Sequence, residues 1–261
     1  MIGKIAPADI QKLIDENSEH PRTCKKIMIE LKQIIDLAIS DDMLDRSPIR
    51  KIIVPKARKK HKRPLTDEEV KLLEKTRFTP REKLYITLIQ FYGLRKEEAL
   101  ALSPADLENG FVSVNKAIVF KNNRPYIKIT KSTAGERKIP ILSIHKRYFA
   151  EIVRKGGLYC FTCISSNDLI TEQSFRRMYY SIMKKLKLTA RKNKLPEPVG
   201  LTSHIFRHNY ATMLYYAGVG VKDAQYLLGH ATSSVTLDIY THLDNENKAA
   251  KNQLETYLKS K

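Results

Sequence analysis

Tryptophan is absent from this 261-residue chain, and cysteine occurs only at Cys24, Cys160 and Cys163. Three thiols exclude a disulfide framework and suit a reducing compartment, so a cytoplasmic location is expected. The pair in "CFTC" lacks the second pair that a four-ligand zinc site needs. It reads as two reduced core thiols in an apolar strand or loop, with no metal. No uninterrupted apolar run approaches the roughly 20 residues of a membrane span. The opening "MIGKIAPADIQ" also lacks the apolar core of a signal peptide, which speaks against a membrane role. Acidic residues are scarce as well: 28 against 47 Lys and Arg, a net charge of +19. A surplus of that size points to a polyanionic partner, nucleic acid ahead of an acidic membrane surface.

What is present is enough to fold, since apolar residues make up 42% of the chain. The spacing predicts a helix over 7–17 with Ile10, Leu13 and Ile14 on one face. A longer helix from Arg22 carries a stripe of Ile27, Leu31, Ile34, Ile35 and Ala38. Residues 1–49 thus form a small helical unit. Residues 50–64, "RKIIVPKARKKHKRP", are proline-broken and basic. Such a stretch is either a solvated spacer or a strap along phosphates, contributed by Lys56, Arg58, Lys59, Lys60, Lys62 and Arg63; the overall charge favours the strap. A second unit, 65–261, opens with a capping box at Thr66 and Glu69. Two further helices follow, "REKLYITLIQFYG" with Leu84, Leu88 and Phe91 inward, and "KEEALAL". The period then shortens in "FVSVNKAIVF", "RPYIKIT" and "ERKIPIL", with "KSTAGE" as the turn joining the last two. The rest reads as helices broken at Gly218, Gly220 and Gly229. The fold class is mainly α with a small antiparallel β-sheet.

In "LTSHIFRHNYATMLYYAGVG" the buried helix face is Phe206, Tyr210, Met213, Leu214 and Ala217. His204 and Arg207 neighbour each other on another face, where the pair either sits idle in solvent or holds a phosphate. In "LGHATSSVTLDIYTH" the stripe Val235, Ile239 and Leu243 is the core face, and Tyr240 lies about 100° to its side. The last residues, "NENKAAKNQLETYLKSK", form a polar helix with Ala249, Leu254 and Leu258 on a sparse apolar face.

The segments "YGLRKEEALAL", "TKSTAGERKIPI", "LTSHIFRHNYATML", "LLGH" and "VTLDIYTHL" occur in this order. Together they resemble the catalytic domain of the tyrosine recombinases, the phage- and transposon-type integrases, over about residues 65–245. The N-terminal helices and basic linker resemble a shortened form of that family's core-binding domain. The resemblance implies a DNA recombinase that cleaves and rejoins strands through a 3′-phosphotyrosine bond, without metal, ATP or other cofactor. Arg95 takes the position of the first catalytic arginine and Glu98 that of a carboxylate orienting the site. Lys131, at the tip of a β-hairpin, takes that of the general acid. His204 and Arg207 are the HxxR pair, with His208 beside them either in a structural role or supporting the site from behind. His230 is the second histidine and Tyr240 the nucleophile. The partners implied are double-stranded DNA and further copies of the chain, in dimers and tetramers joined through the C-terminal tail.

Overall fold

The computed structural model describes residues 5–56, 63–129, 135–164 and 166–246, with only the backbone of Asn245 and Glu246. The chain divides into two compact units, residues 1–61 and 62–261.

In the first unit, α1 (Pro7–Glu16) starts with proline in its first turn, where the missing N–H has no helical partner to lose. It is followed by α2 (Pro21–Ser40). Ile10, Ile14, Cys24, Ile35 and Ala38 are buried, whereas Leu13 and Ile34, both assigned to the apolar faces, are exposed. Cys24 Sγ donates to the Asn17 carbonyl at 3.0 Å. Gln11 accepts from the Ile53 amide at 2.8 Å, which ties the segment after α2 back onto α1.

The second unit begins at the predicted capping box: Thr66 Oγ1 accepts from the Glu69 amide at 3.2 Å and opens α3 (Asp67–Lys75). A second box, Thr79 with Glu82, opens α4 (Pro80–Phe91). Helix α4 is buried on nearly all sides, from Leu84 through Gln90, and so forms the spine of the core rather than an amphipathic edge. Around it pack α5 (Lys96–Ala101), α6 (Lys146–Lys155) and α7 (Glu172–Asn193). Buried Leu88, Ile89, Val112, Ile139, Phe149, Phe161 and Ile182 belong to this core.

The strands pair differently from the order expected. β1 (Phe111–Val114) pairs antiparallel with β4 (Arg137–Pro140), and β2 (Lys116–Lys121) with β3 (Arg124–Ile129). Among the described residues β3 and β4 do not pair, contrary to the hairpin expected, and most of "KSTAGE" lies outside the described residues. The hairpin turn is Asn122-Asn123, whose positive φ values of 49° and 65° match the right-handed twist of the flanking strands. The two thiols of "CFTC" are free and half-buried, beside a single bridge from Thr162 to Leu169.

Helices α8 (Ser203–Tyr216), α9 (Val221–Leu228) and α10 (Ser233–Glu246) complete the unit. They share a second cluster of buried Tyr210, Ala211, Leu214, Ala224, Leu228 and Tyr240. Gly93, just past α4, has φ +59°, and a Cβ there would lie 2.2 Å from Cδ1 of Tyr210. Only glycine lets the α4–α5 turn approach α8 this closely. No described helix is long and apolar enough to cross a membrane.

Candidate active site

The site is built on the end of α9. Gly229 adopts a left-handed conformation and stops the helix, leaving its last carbonyls without helical donors. Three consecutive carbonyls there each accept from a different arginine. Arg137 Nε donates to Leu227 O at 2.9 Å, Arg207 Nη2 to Leu228 O, and Arg95 Nη2 to Gly229 O at 2.8 Å. The negative end of the helix dipole favours cations at this position.

Arg95 is the N-cap of α5. Glu98, one turn later, turns back to it: Oε2 accepts the Arg95 amide at 2.8 Å, and Oε1 accepts from Arg95 Nη1 at 2.6 Å. On its other side Glu98 receives both Nη groups of Arg137, at 3.2 and 2.8 Å. These two cations hold the buried Glu98 carboxyl down at about 2, against the opposing effect of burial.

Arg207 is buried, not exposed on a helix face. Its Nη1 donates to Gly93 O at 2.6 Å, which ties the tight α4–α5 turn to the site. Burial first, and then repulsion from Arg95, pull its guanidinium down to about 9. It stays protonated at neutral pH, crowded by like charge in a site that an arriving anion would relax. His204 is exposed one turn earlier on α8, and His208 is half-buried.

His230 follows Gly229 directly. Its Nδ1 lies 2.9 Å from Oγ1 of the wholly buried Thr236 on α10. Burial, and then repulsion from Arg207, Arg95 and Arg137, lower it to about 4, so the ring is neutral at pH 7. A neutral imidazole carries one N–H, and where Thr236 donates to Nδ1 that N–H is on Nε2.

Tyr240 departs from the expectation. The buried face of α10 is Thr236, Tyr240 and Leu243, while Val235 is 47% exposed, so the stripe is rotated and Tyr240 lies within it. The cause is tertiary: α10 packs on both α8 and α9, and these present Tyr215 and Leu228 to the polar-looking face. The Tyr240 ring meets Tyr215 edge-on, with centroids 5.1 Å apart. Its hydroxyl donates to Val219 O at 3.0 Å, in the turn between α8 and α9, and burial raises its pKa. Met213 on α8 and Ala217 just past its end are likewise exposed instead of buried.

Of the remaining predicted residues, Lys131, Arg58, Lys59, Lys60 and Lys62 lie outside the described residues, as does the tail from 247 onward. Lys56 is exposed. Arg63 is partly exposed, and both its Nη groups fork onto Glu69, at 2.6 and 2.7 Å. Arg137 was missed. Its signal was present in "ERKIPI", where the strand alternation puts an arginine on the same inward face as Ile139.

The description "phage integrase family" matches residues 77–247, about two thirds of the chain, a span that includes Arg95, Glu98, Arg137, His204, Arg207, His230 and Tyr240 but not the basic run before residue 64. The chain belongs to the phage integrase family. Like other members it is a tyrosine recombinase. It is 27% identical over 242 residues to a tyrosine recombinase XerD of Rickettsia bellii, covering 89% of this chain and 76% of that one. It is also 27% identical to the transposase of transposon Tn916 from Enterococcus faecalis, covering 92% of this chain and 64% of the relative. Among solved structures, the Tn1549 transposon integrase in complex with transposon right end DNA shares its fold. The TM-score is 0.74 at 22% identity, over 92% of this chain and 82% of that one. A lambda integrase dimer bound to a core site shares the fold at TM-score 0.62 and 18% identity, over 91% and 80%. The recombinase thus carries the mainly α fold with small antiparallel ladders that its sequence implied.

Proposed function

We propose that this recombinase cuts duplex DNA by attack of the Tyr240 hydroxyl oxygen on a phosphodiester phosphorus. The reaction forms a 3′-phosphotyrosine bond and releases a 5′-hydroxyl. Charge that grows on the non-bridging oxygens is met by Arg95 and Arg207, with the neutral His230 as a further hydrogen-bond donor. Lys131 protonates the leaving 5′-oxygen. His204 takes the tyrosine proton or holds the phosphate. The transesterification conserves the bond energy, so rejoining needs neither ATP nor metal.

The observation that carries this reading is the crowding of Arg95, Arg207 and Arg137 around the α9 end beside His230. It is an excess of positive charge, with Arg137 and Arg207 buried and Arg95 partly exposed, in want of an anion. The Tyr240–Val219 hydrogen bond makes the described pose a resting one. Attack requires the hydroxyl to leave that carbonyl.

Residues 1–49 act as a core-binding domain, 50–64 as a basic linker on DNA phosphates, and 65–261 as the catalytic domain, in the cytoplasm. Copies assemble on DNA as dimers and tetramers through the tail. A groove of about 1130 Å³ beside α3, α4 and α8, lined by Leu73, Phe78, Phe91, Met213 and Tyr216, suits the sparse apolar face of such a tail.

The test is covalent trapping on a nicked duplex from which the downstream fragment diffuses away. The wild type should give a protein–DNA adduct that resists denaturant and forms in EDTA, and Tyr240→Phe should give none. Absence of the wild-type adduct, or an adduct with Tyr240→Phe, overturns the mechanism.

A further inference from the structure

Arg137 contributes nothing to the phosphate-holding roles assigned above, yet it is among the most deeply buried side chains, with 2% of its surface exposed. It sits opposite Val114 in the β1–β4 ladder, on the side that faces the core. A buried guanidinium is tolerated only when its charge and donors are matched. Here Glu98 accepts from both Nη groups and Leu227 O accepts from Nε. The same Glu98 also holds Arg95, and the same helix end holds Arg95 and Arg207. Arg137 therefore grips both supports of Arg95.

We propose that Arg137 is a positioning residue of the cleavage reaction: by sharing Glu98 it keeps the Arg95 charge available to the DNA phosphate. This rests on the reading that Arg95 and Arg207 hold the scissile phosphate. The charge arithmetic is simple. Arg95, Glu98 and Arg137 together carry +1, and Arg207 brings the site to +2. Without Arg137, Glu98 is left to Arg95 alone. The pair closes on itself as a neutral ion pair, and the site falls to +1. Arg95 would then be bound where it is but silent as a cation. Arg137 also fixes the last turn of α9, so its loss loosens the carbonyl to which Arg95 Nη2 is tied. The residue touches neither substrate nor the reacting atoms, and acts through Glu98 and the helix end.

The experiment compares single-turnover cleavage of two nicked duplexes, one with the ordinary scissile phosphodiester and one with a neutral methylphosphonate in its place. The neutral linkage lacks the charge that Arg95 serves. With the phosphodiester, Arg137→Met should cleave about 100-fold more slowly than wild type while binding the duplex with unchanged affinity. With the methylphosphonate the deficit should shrink to less than about tenfold. Arg137→Lys keeps a charge but cannot fork onto both Glu98 oxygens, and should lose about tenfold, again mainly on the phosphodiester. The double variant Arg137→Met/Glu98→Gln frees Arg95 from the carboxylate and should recover at least tenfold over Arg137→Met. Circular dichroism at the assay temperature shows which variants are folded. If Arg137→Met is not, Arg137→Lys carries the same two-substrate comparison.

A merely structural role slows both substrates by the same factor. That equality, or an undiminished rate in the folded single variants, overturns the proposal. Failure of the wild type to cleave the phosphodiester at all would instead sink the catalytic reading on which it rests.

Discussion

His230 is neutral in the folded protein because burial disfavours the charged ring, and because protonating it would add a fourth cation beside Arg207, Arg95 and Arg137. That has a cost that pH can expose. In the unfolded chain the imidazole titrates near 6.5, and in the folded protein near 4. Above 6.5 both states are neutral and His230 leaves stability unchanged. As pH falls below 6.5 the unfolded chain takes up a proton that the native state refuses, so stability drops. The loss continues until the native state is protonated near 4. At about 1.4 kcal/mol per pH unit the full loss is about 3 kcal/mol. The ring is only half-buried, and solvent screening cuts this roughly in half. Glu98 does not blur the window, because its depressed pKa costs stability only below the ordinary carboxylate range near 4.5. Urea denaturation of the wild type and of His230→Gln between pH about 7 and about 5 isolates the effect. The wild type should lose roughly 1 kcal/mol more than the variant over that range. Parallel curves, or a wild type that gains relative to the variant on acidification, would refute the claim that three arginines and burial hold His230 neutral.

Three further outcomes follow from the same geometry. Gly93→Ala should lower the melting temperature by more than about 5 °C in a thermal scan, because the new Cβ meets the Tyr210 ring at 2.2 Å in a backbone conformation unsuited to alanine. Thr236→Val keeps the shape of a wholly buried side chain but removes the partner of His230 Nδ1. Single-turnover cleavage should fall roughly tenfold with unchanged DNA affinity, while Thr236→Ser stays near wild type. Tyr240→Phe should abolish the covalent adduct and also destabilise the protein by about 1 kcal/mol in urea, since Val219 O loses its donor. A variant as stable as wild type would show that the hydroxyl does not rest on that carbonyl.

Much of the architecture was legible in the chain. Thr66 and Glu69 announced the start of α3, and glycines at 218 and 229 marked real helix ends. The order of the motifs around Arg95, His204, Arg207, His230 and Tyr240 pointed to the family that the comparisons establish. Local chemistry suffices there because caps, turns and left-handed glycines are decided within a few residues. The absence of tryptophan, of a disulfide set and of long apolar runs likewise needed no structure to interpret.

Other features depended on contacts between distant segments. The pairing of β1 with β4 rather than β3 with β4 depends on which edges meet, and the Asn122-Asn123 turn had equal right to be read as the hairpin. The face of α10 is chosen by the α8 and α9 surfaces it covers, which rotates Tyr240 into the core stripe and rests its hydroxyl on Val219. Arg63, in a run of basic residues, is claimed by Glu69. Arg137, an ordinary-looking arginine in a short strand, becomes the counter-cation of Glu98 only when β4 and α5 are brought together. By itself the sequence determined the residue types of the site and its helices, because those follow from composition and near-neighbour spacing. Which side chains share a charge, and which carbonyls of α9 they grip, was decided by tertiary structure, because only packing sets the distances and burial on which electrostatics depends.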